Sequence, residues 1–189
     1  MADLSVKIAG VEFGNPLIAA SGTFGFGKEY GEFYPLSALG GISCKGITLK
    51  KRDGNPSPRI AETPSGMLNA VGLQNPGVDV FIKEDLPWLK QQNTVVIANI
   101  AGNTFEEYCE MAEKLSDTDV DMIELNISCP NVKQGGVQFG AGLLDVVGIA
   151  GLGHGIVAFG VSAGSQNHIK DLGFFGIRTG RANADDVLY

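Results

Sequence analysis

Four short runs of apolar and β-branched residues recur along the chain, each pair far enough apart to hold other structure between them: PLIAAS (16–21), GISCKGITL (41–49), TVVIANI (94–100) and DMIELNIS (121–128). Runs of this length read as buried strands. Two intervening segments have helical character, VDVFIKEDLPWLKQQ (78–92) and TFEEYCEMAEKL (104–115), and the second opens on Thr104 with Glu107 three residues on, the spacing of a capping box. Strands alternating with helices predict parallel β/α units, so the expected fold class is α/β with a parallel sheet.

Each predicted strand ends in small or amide-bearing residues: Ser21 and Gly22, Lys45 and Gly46, Asn99, and Asn126. In a parallel barrel the C-terminal strand ends gather on one face, so polar residues placed there address a shared ligand. Asn and Gly also end strands because they favour turns, but four endings of this kind in succession favour the ligand. Between the second and third strands, residues 50–77 are dense in Pro, Gly and Asn, too long for a plain connection and without helical periodicity. That pattern predicts a functional loop. Its end, NAVGLQNPG, sets Asn69 among small residues whose backbone N–H groups are expected to reach a bound anion.

The segment NISCPN (126–131) places the Cys129 thiol just past the end of the fourth strand, between Asn126 and Asn131, with Pro130 stiffening the turn. A thiol in that position suits a base or a nucleophile better than a core filler. The two amides can fix a polar heterocycle by donating and accepting at once. Both histidines, His154 and His168, lie far along the chain, so no Cys–His dyad is supported and proton abstraction is the chemistry expected. Cys44 and Cys109 sit in apolar or helical stretches and read as core.

Composition removes several classes. A formal charge of -7 is the opposite of the clustered Lys and Arg that draw nucleic acid, so no nucleic-acid partner is expected. Three cysteines without C-x-x-C spacing favour neither a disulfide framework nor a thiolate metal site. No window offers the roughly 18 uninterrupted apolar residues of a membrane span. The opening MADLSVKIAG has no basic segment leading into an apolar stretch. No membrane contact and a cytoplasmic address are expected.

The segments NPLIAASGTFGFG (15–27), CKGITLKKRDGNPSPRIAETPSGMLNAVGLQNPG (44–77), VVIANIAG (95–102) and ELNISCPNVKQGGVQFG (124–140) together resemble the dihydroorotate dehydrogenases, in unbroken order over about residues 4–140. The likeness is greatest to the bacterial NAD-linked catalytic subunit, which works as a homodimer with an iron–sulfur FAD electron-transfer subunit. The resemblance implies a (β/α)8 TIM barrel that binds FMN and oxidises dihydroorotate to orotate in pyrimidine biosynthesis. It implies that Cys129 takes the C5 proton while hydride leaves C6 for the flavin, with Lys45 touching flavin and substrate. It implies further that Asn69, Ala70, Val71, Gly72 and Leu73 hold the substrate carboxylate and ring, with Asn126 and Asn131 on its other edge. Ser21, Gly22, Gly46, Asn99 and Asn126 would touch FMN. A related pyrimidine-reducing flavoenzyme is less favoured by the NISCPN form.

From Ala141 the character changes to a glycine-rich stretch without proline. In it the resemblance finds no second flavin lysine, no further substrate asparagine and no glycine loop for the FMN phosphate. Within it GIVAFGVSA reads as a strand or a short helix, and glycines 148, 151, 153 and 155 lack the G-x-G-x-x-G spacing of a dinucleotide turn. The expectation is a partial barrel of the first four β/α units over residues 1–140, then an atypical glycine-rich tail over 141–189. Truncation or divergence of this kind is expected to weaken FMN binding. The alternative is a non-catalytic piece that associates through an exposed sheet edge.

Overall fold

The structure, a computed structural model, describes residues 2–126 and the backbone of two further strands at 155–159 and 175–178. The four expected strands are present: β3 (Ile18–Ala19), β4 (Gly41–Ser43), β7 (Val95–Ile100) and β8 (Met122–Asn126). They pair side by side in parallel in the order β3-β4-β7-β8. Strand β9 (Gly155–Phe159) continues the sheet in parallel beside β8, so GIVAF is a strand and not a helix. Strand β10 (Phe175–Arg178) then pairs antiparallel with β9 at the sheet's edge. The α/β class is as expected, while the described sheet has six strands where four were expected, in the order β10-β9-β8-β7-β4-β3.

Two antiparallel hairpins stand apart from this sheet. The first joins β1 (Val6–Ile8) to β2 (Val11–Phe13). The second joins β5 (Ile60–Thr63) to β6 (Gly66–Asn69) through Pro64 and Ser65, inside the stretch where no regular structure was expected. All eight residues of that hairpin's strands are exposed. No apolar alternation therefore marks it, and only the Pro-Ser turn does.

The helices follow from local chemistry. Between β3 and β4 lie only one helical turn, α1 (Lys28–Gly31), and a 3-10 turn at Leu36–Ala38. Residues 78–92 form one helical rod: α2 (Val78–Val80), a wide π turn (Phe81–Asp85), α3 (Leu86–Leu89) and a closing 3-10 turn (Lys90–Gln92). Pro87 accounts for the wide turn, because it has no N–H for the carbonyl one turn back. Asn93, left-handed at φ 53, ends the rod. Helix α4 (Phe105–Ser116) starts where the capping box placed it. The Thr104 hydroxyl accepts from the Glu107 N–H at 3.3 Å, but the Glu107 carboxylate turns to the Asn103 N–H at 2.6 Å, so the box is half made.

Side chains alternate between the two faces of the sheet. One face, with Ile42, Cys44, Val96, Ala98, Ile100, Ile123 and Leu125, packs on Phe81, Leu86 and Leu89 of the rod and on Tyr108, Met111 and Leu115 of α4. Burial of such side chains contributes roughly 1.5–3 kcal/mol each. The other face carries Val95, Ile97 and Met122 at its lower end, closed by Phe13 and by Val6, Ile8 and Val11 of the first hairpin. Phe13 lies so close to Gly41 that a Cβ there would meet its ring at 2.9 Å. Toward the C-terminal strand ends this inner face turns polar, with Ser43, Asn99 and Glu124 all buried.

Candidate functional site at the C-terminal strand ends

The Ser43 hydroxyl on β4 donates to the Glu124 carboxyl on β8, over the top of the intervening strand β7. Neighbouring strands lie about 4.8 Å apart, so that reach requires the sheet to curl with this face on the concave side. The concave face is therefore where the strand-end residues meet. The Asn126 Nδ2 donates to the Asn99 Oδ1 at 3.3 Å. A Cβ placed on Gly46 would lie 2.9 Å from Leu73 Cδ1, 3.0 Å from Asn99 Oδ1 and 3.6 Å from Asn126 Nδ2. Glycine at 46 is thus required by close approach, and three elements converge on it.

Around this point the chain is tied down. Ser21 donates its hydroxyl to the Cys44 carbonyl at 2.7 Å, and the Lys45 N–H donates to the Gly25 carbonyl at 2.9 Å. These bonds bring the turn after β3 against the end of β4. Gly22, at φ +79, faces open space. Lys45 is half-buried, and among the described residues its ammonium has no carboxylate partner. Tyr108 of α4 donates its hydroxyl to the Asn126 carbonyl at 2.7 Å, fixing the end of β8.

The 69–73 segment divides in two. Leu73 is buried against Ala101 and takes a left-handed φ of 56, a strained conformation for a branched residue. Asn75 holds it there: its Oδ1 accepts from the Thr48 N–H at 3.0 Å and the Gly77 N–H at 2.9 Å, and its Nδ2 donates to the Leu73 carbonyl at 2.8 Å. Asn69, Ala70 and Val71 instead belong to the end of the exposed hairpin. The Ala70 N–H donates to the Arg59 carbonyl at 2.7 Å, while Asn55 donates to the Ala70 and Val71 carbonyls. Of the N–H groups expected to reach an anion, that of Ala70 already has a carbonyl partner within this loop.

The structure therefore brings together Ser21, Lys45, Gly46, Leu73, Asn99 and Asn126, and leaves Asn69, Ala70 and Val71 on the hairpin, with Gly72 linking the two. Cys129 and Asn131 lie outside the described residues. Sequence reasoning missed Glu124, Ser43 and Asn75. The signal for Glu124 was present, a single acid inside the apolar run DMIEL. Burial raises the Glu124 carboxyl above its ordinary range, against the opposing pull of hydrogen bonds from Ser43 and Asn99. Burial likewise pushes the Cys44 thiol far up, with Asp85 and Glu124 adding to it, and raises Cys109 with Glu106 and Glu113 adding. Cys44 is a core group, as expected, while Cys109 is only partly buried against the core. Among the described residues no cluster of His, Cys, Asp and Glu is placed to hold a metal ion, and no helix is long and apolar enough to cross a membrane.

Comparison with known proteins adds an independent finding. The family model described as dihydroorotate dehydrogenase matches residues 3–143. The chain is 62% identical over 140 residues to the dihydroorotate dehydrogenase B (NAD(+)) catalytic subunit of Petrotoga mobilis, covering 74% of this chain and 47% of that protein. It is 54% identical over 147 residues to the same-named subunit of a Thermoanaerobacter species, covering 78% and 49%. The chain thus spans about half the length of the curated relatives it matches. Among solved structures, DHODH from Eimeria tenella in complex with ferulenol superposes with a TM-score of 0.60 at 24% identity, over 78% of this chain and 42% of that one, a likeness of fold.

Proposed function

Because this chain belongs to the dihydroorotate dehydrogenase family, we propose that its C-terminal rim is part of an active site that oxidises dihydroorotate to orotate, with FMN taking the hydride. The observation that carries this reading is the meeting of Gly46, Leu73, Asn99 and Asn126 at one point beside Lys45. The residues fit a flavin ring in kind. Buried amides match its N–H and C=O edge, a half-buried ammonium suits negative charge, and a small-residue turn at Ser21 and Gly22 leaves room beside them. FMN, when bound, supplies the hydride acceptor.

The chain's own residues do the rest. Cys129, three residues beyond β8, is the base that removes the C5 proton. Lys45 would sit against substrate and flavin, its ammonium supplying positive charge where the reaction gathers negative charge. Leu73 and Gly72 shape the substrate's face, Asn69, Ala70 and Val71 close over it from the hairpin, and Asn126 and Asn131 hold its opposite edge. Ser21, Gly22, Gly46 and Asn99 line the flavin. The likeness to catalytic subunits supports an iron–sulfur FAD electron-transfer subunit as redox partner and a homodimer as the working state. We assign residues 1–140 to the barrel portion and 141–189 to an atypical glycine-rich tail, two strands of which, β9 and β10, extend the sheet beyond β8.

Two measurements test this. The purified chain mixed with excess FMN should shift the flavin absorbance bands through weak binding, as truncation implies; an unchanged flavin spectrum would count against the site. In chain that turns over, Cys129→Ser should slow dihydroorotate oxidation by about 10²-fold or more near neutral pH, since a hydroxyl holds its proton more tightly than a thiol. Unchanged turnover removes the base from Cys129. A second reading, a non-catalytic interaction piece, is favoured by the exposed Ile60, Met67 and Leu68 of the β5–β6 hairpin. It predicts assembly without bound flavin, which size measurement beside the absorbance scan distinguishes.

A further inference from the structure

One buried side chain beside the rim spends its whole hydrogen-bonding capacity around the turn that carries Leu73: that of Asn75, a residue 4% exposed. Its Oδ1 accepts from the Thr48 and Gly77 N–H groups at 3.0 and 2.9 Å, and its Nδ2 donates to the Thr48 hydroxyl at 2.9 Å and to the Leu73 carbonyl at 2.8 Å. The Thr48 hydroxyl sends its own proton to the Lys50 carbonyl at 2.6 Å, so its oxygen is free to accept. Two N–H donors at one end and two oxygens at the other leave the amide a single orientation. The Asn75 backbone is pinned as well, exchanging N–H bonds with Arg52 at 3.0 Å in both directions.

What this amide holds is the second of two successive left-handed residues, Gly72 at φ 78 and Leu73 at φ 56. Glycine takes such a φ freely, whereas a leucine takes it only where its surroundings insist. A carbonyl held in place fixes the plane of its peptide, so the bond from Asn75 sets the way Leu73 turns. Among the described residues neither the Gly72 nor the Leu73 N–H has an acceptor, although Leu73 is 8% exposed. A buried N–H finds a partner as a rule. Leu73 abuts Gly46, which follows Lys45, whose half-buried ammonium has no carboxylate partner among the described residues. Adjacent free N–H groups near an unpaired cation suit an anion. We propose that Asn75 is a positioning residue that holds the Gly72 and Leu73 N–H groups toward one anionic group, and so gives the rim its preference for a ring that carries a carboxylate over the same ring without one. The ligand half of this inference rests on the reading of the rim as a substrate site; the holding half does not.

The holding half is read without any ligand. In the full chain labelled with 13C and 15N, the Leu73 Cα and Cβ shifts and its HN–Hα coupling report φ. Asn75→Asp keeps an acceptor for the Thr48 and Gly77 N–H groups, which hold it ionised, but sets an oxygen against the Leu73 carbonyl. Asn75→Ala removes the amide altogether. Both should move the Leu73 signals away from left-handed values, and unmoved signals in the folded Asp variant overturn the proposal. For the ligand half, orotate and uracil, the same ring without the carboxylate, are titrated with FMN present in excess. Wild type should bind orotate more tightly than uracil. Asn75→Ala should weaken orotate roughly tenfold or more, the worth of a hydrogen bond to a charged group, and uracil less than about twofold. Should Asn75→Ala not fold, Asn75→Ser, too short to span from Thr48 to Leu73, takes its place. An undiminished preference for orotate in the variant overturns the ligand half. Equal binding of the two rings by wild type removes the carboxylate reading of the rim, while moved Leu73 signals beside that result would leave Asn75 as the group that holds the turn.

Discussion

Asn75 shows how one buried amide can hold a strained turn. It satisfies two backbone N–H groups, from Thr48 and Gly77, and one carbonyl, from Leu73. Asn75→Ala leaves these groups buried without partners at about 1–3 kcal/mol for each one not reached by water. The urea midpoint should fall accordingly, and Leu73 should relax from its left-handed φ. Glu124 gives a prediction in pH. Burial raises its folded value above the ordinary 4.5, so the folded state favours the protonated carboxyl. Its contribution is fully present below the unfolded value and is lost as pH rises through the folded one. The Ser43 hydroxyl donates to it and Asn99 lies opposite it in the sheet register, neither of which titrates in this range, and β7 brings no charge. Thermal scans of wild type and Glu124→Gln should therefore diverge as pH rises from 4.5, with wild type losing more; parallel curves would mean that the carboxyl ionises at no cost.

Helix α4 was legible to within one residue because its start is set by a local cap and its periodicity by one buried face, Tyr108, Met111, Ala112 and Leu115. Thr104→Ala should lower stability by about 1 kcal/mol, the usual loss for an N-cap hydroxyl, measurable by urea denaturation. The rod at 78–92 was legible in extent but not in its wide turn. The β5–β6 hairpin was not legible at all, since its strands bury nothing and its pairing is backbone to backbone. The 3-10 turn and short α1 between β3 and β4 were equally silent. Two ion pairs hold these pieces to the sheet and to one another: Lys90 to Asp121 at 2.7 Å, and Lys28 to Asp85 at 2.6 Å.

Across the whole molecule, the concave face divides its work by height. Its lower end is closed by Phe13, fully buried beneath Gly41 and packed with Val95, Ile97 and Met122. Its upper end holds the polar groups. Phe13→Ala should cost about 3–5 kcal/mol through the cavity it opens, a large share of the stability of a domain this size. Chain that remains folded should keep its Asn99 and Asn126 amide signals, because the lost ring lies at the opposite end of the strands. A change at both ends together would show that the two layers are coupled.

The sequence alone determined four of the strands, that these four lie in parallel, and which residues end them, because period, length and turn chemistry are written locally. It also carried the family, through motifs in fixed order. Only the tertiary structure decided that Ser43 reaches Glu124 across β7, that Gly46 has no room for a side chain, and that Asn69 and Leu73, four residues apart, belong to different bodies. Those facts depend on how the sheet curls and on which loop folds back upon it, and curvature is a property of neighbouring strands together, not of any one run of residues.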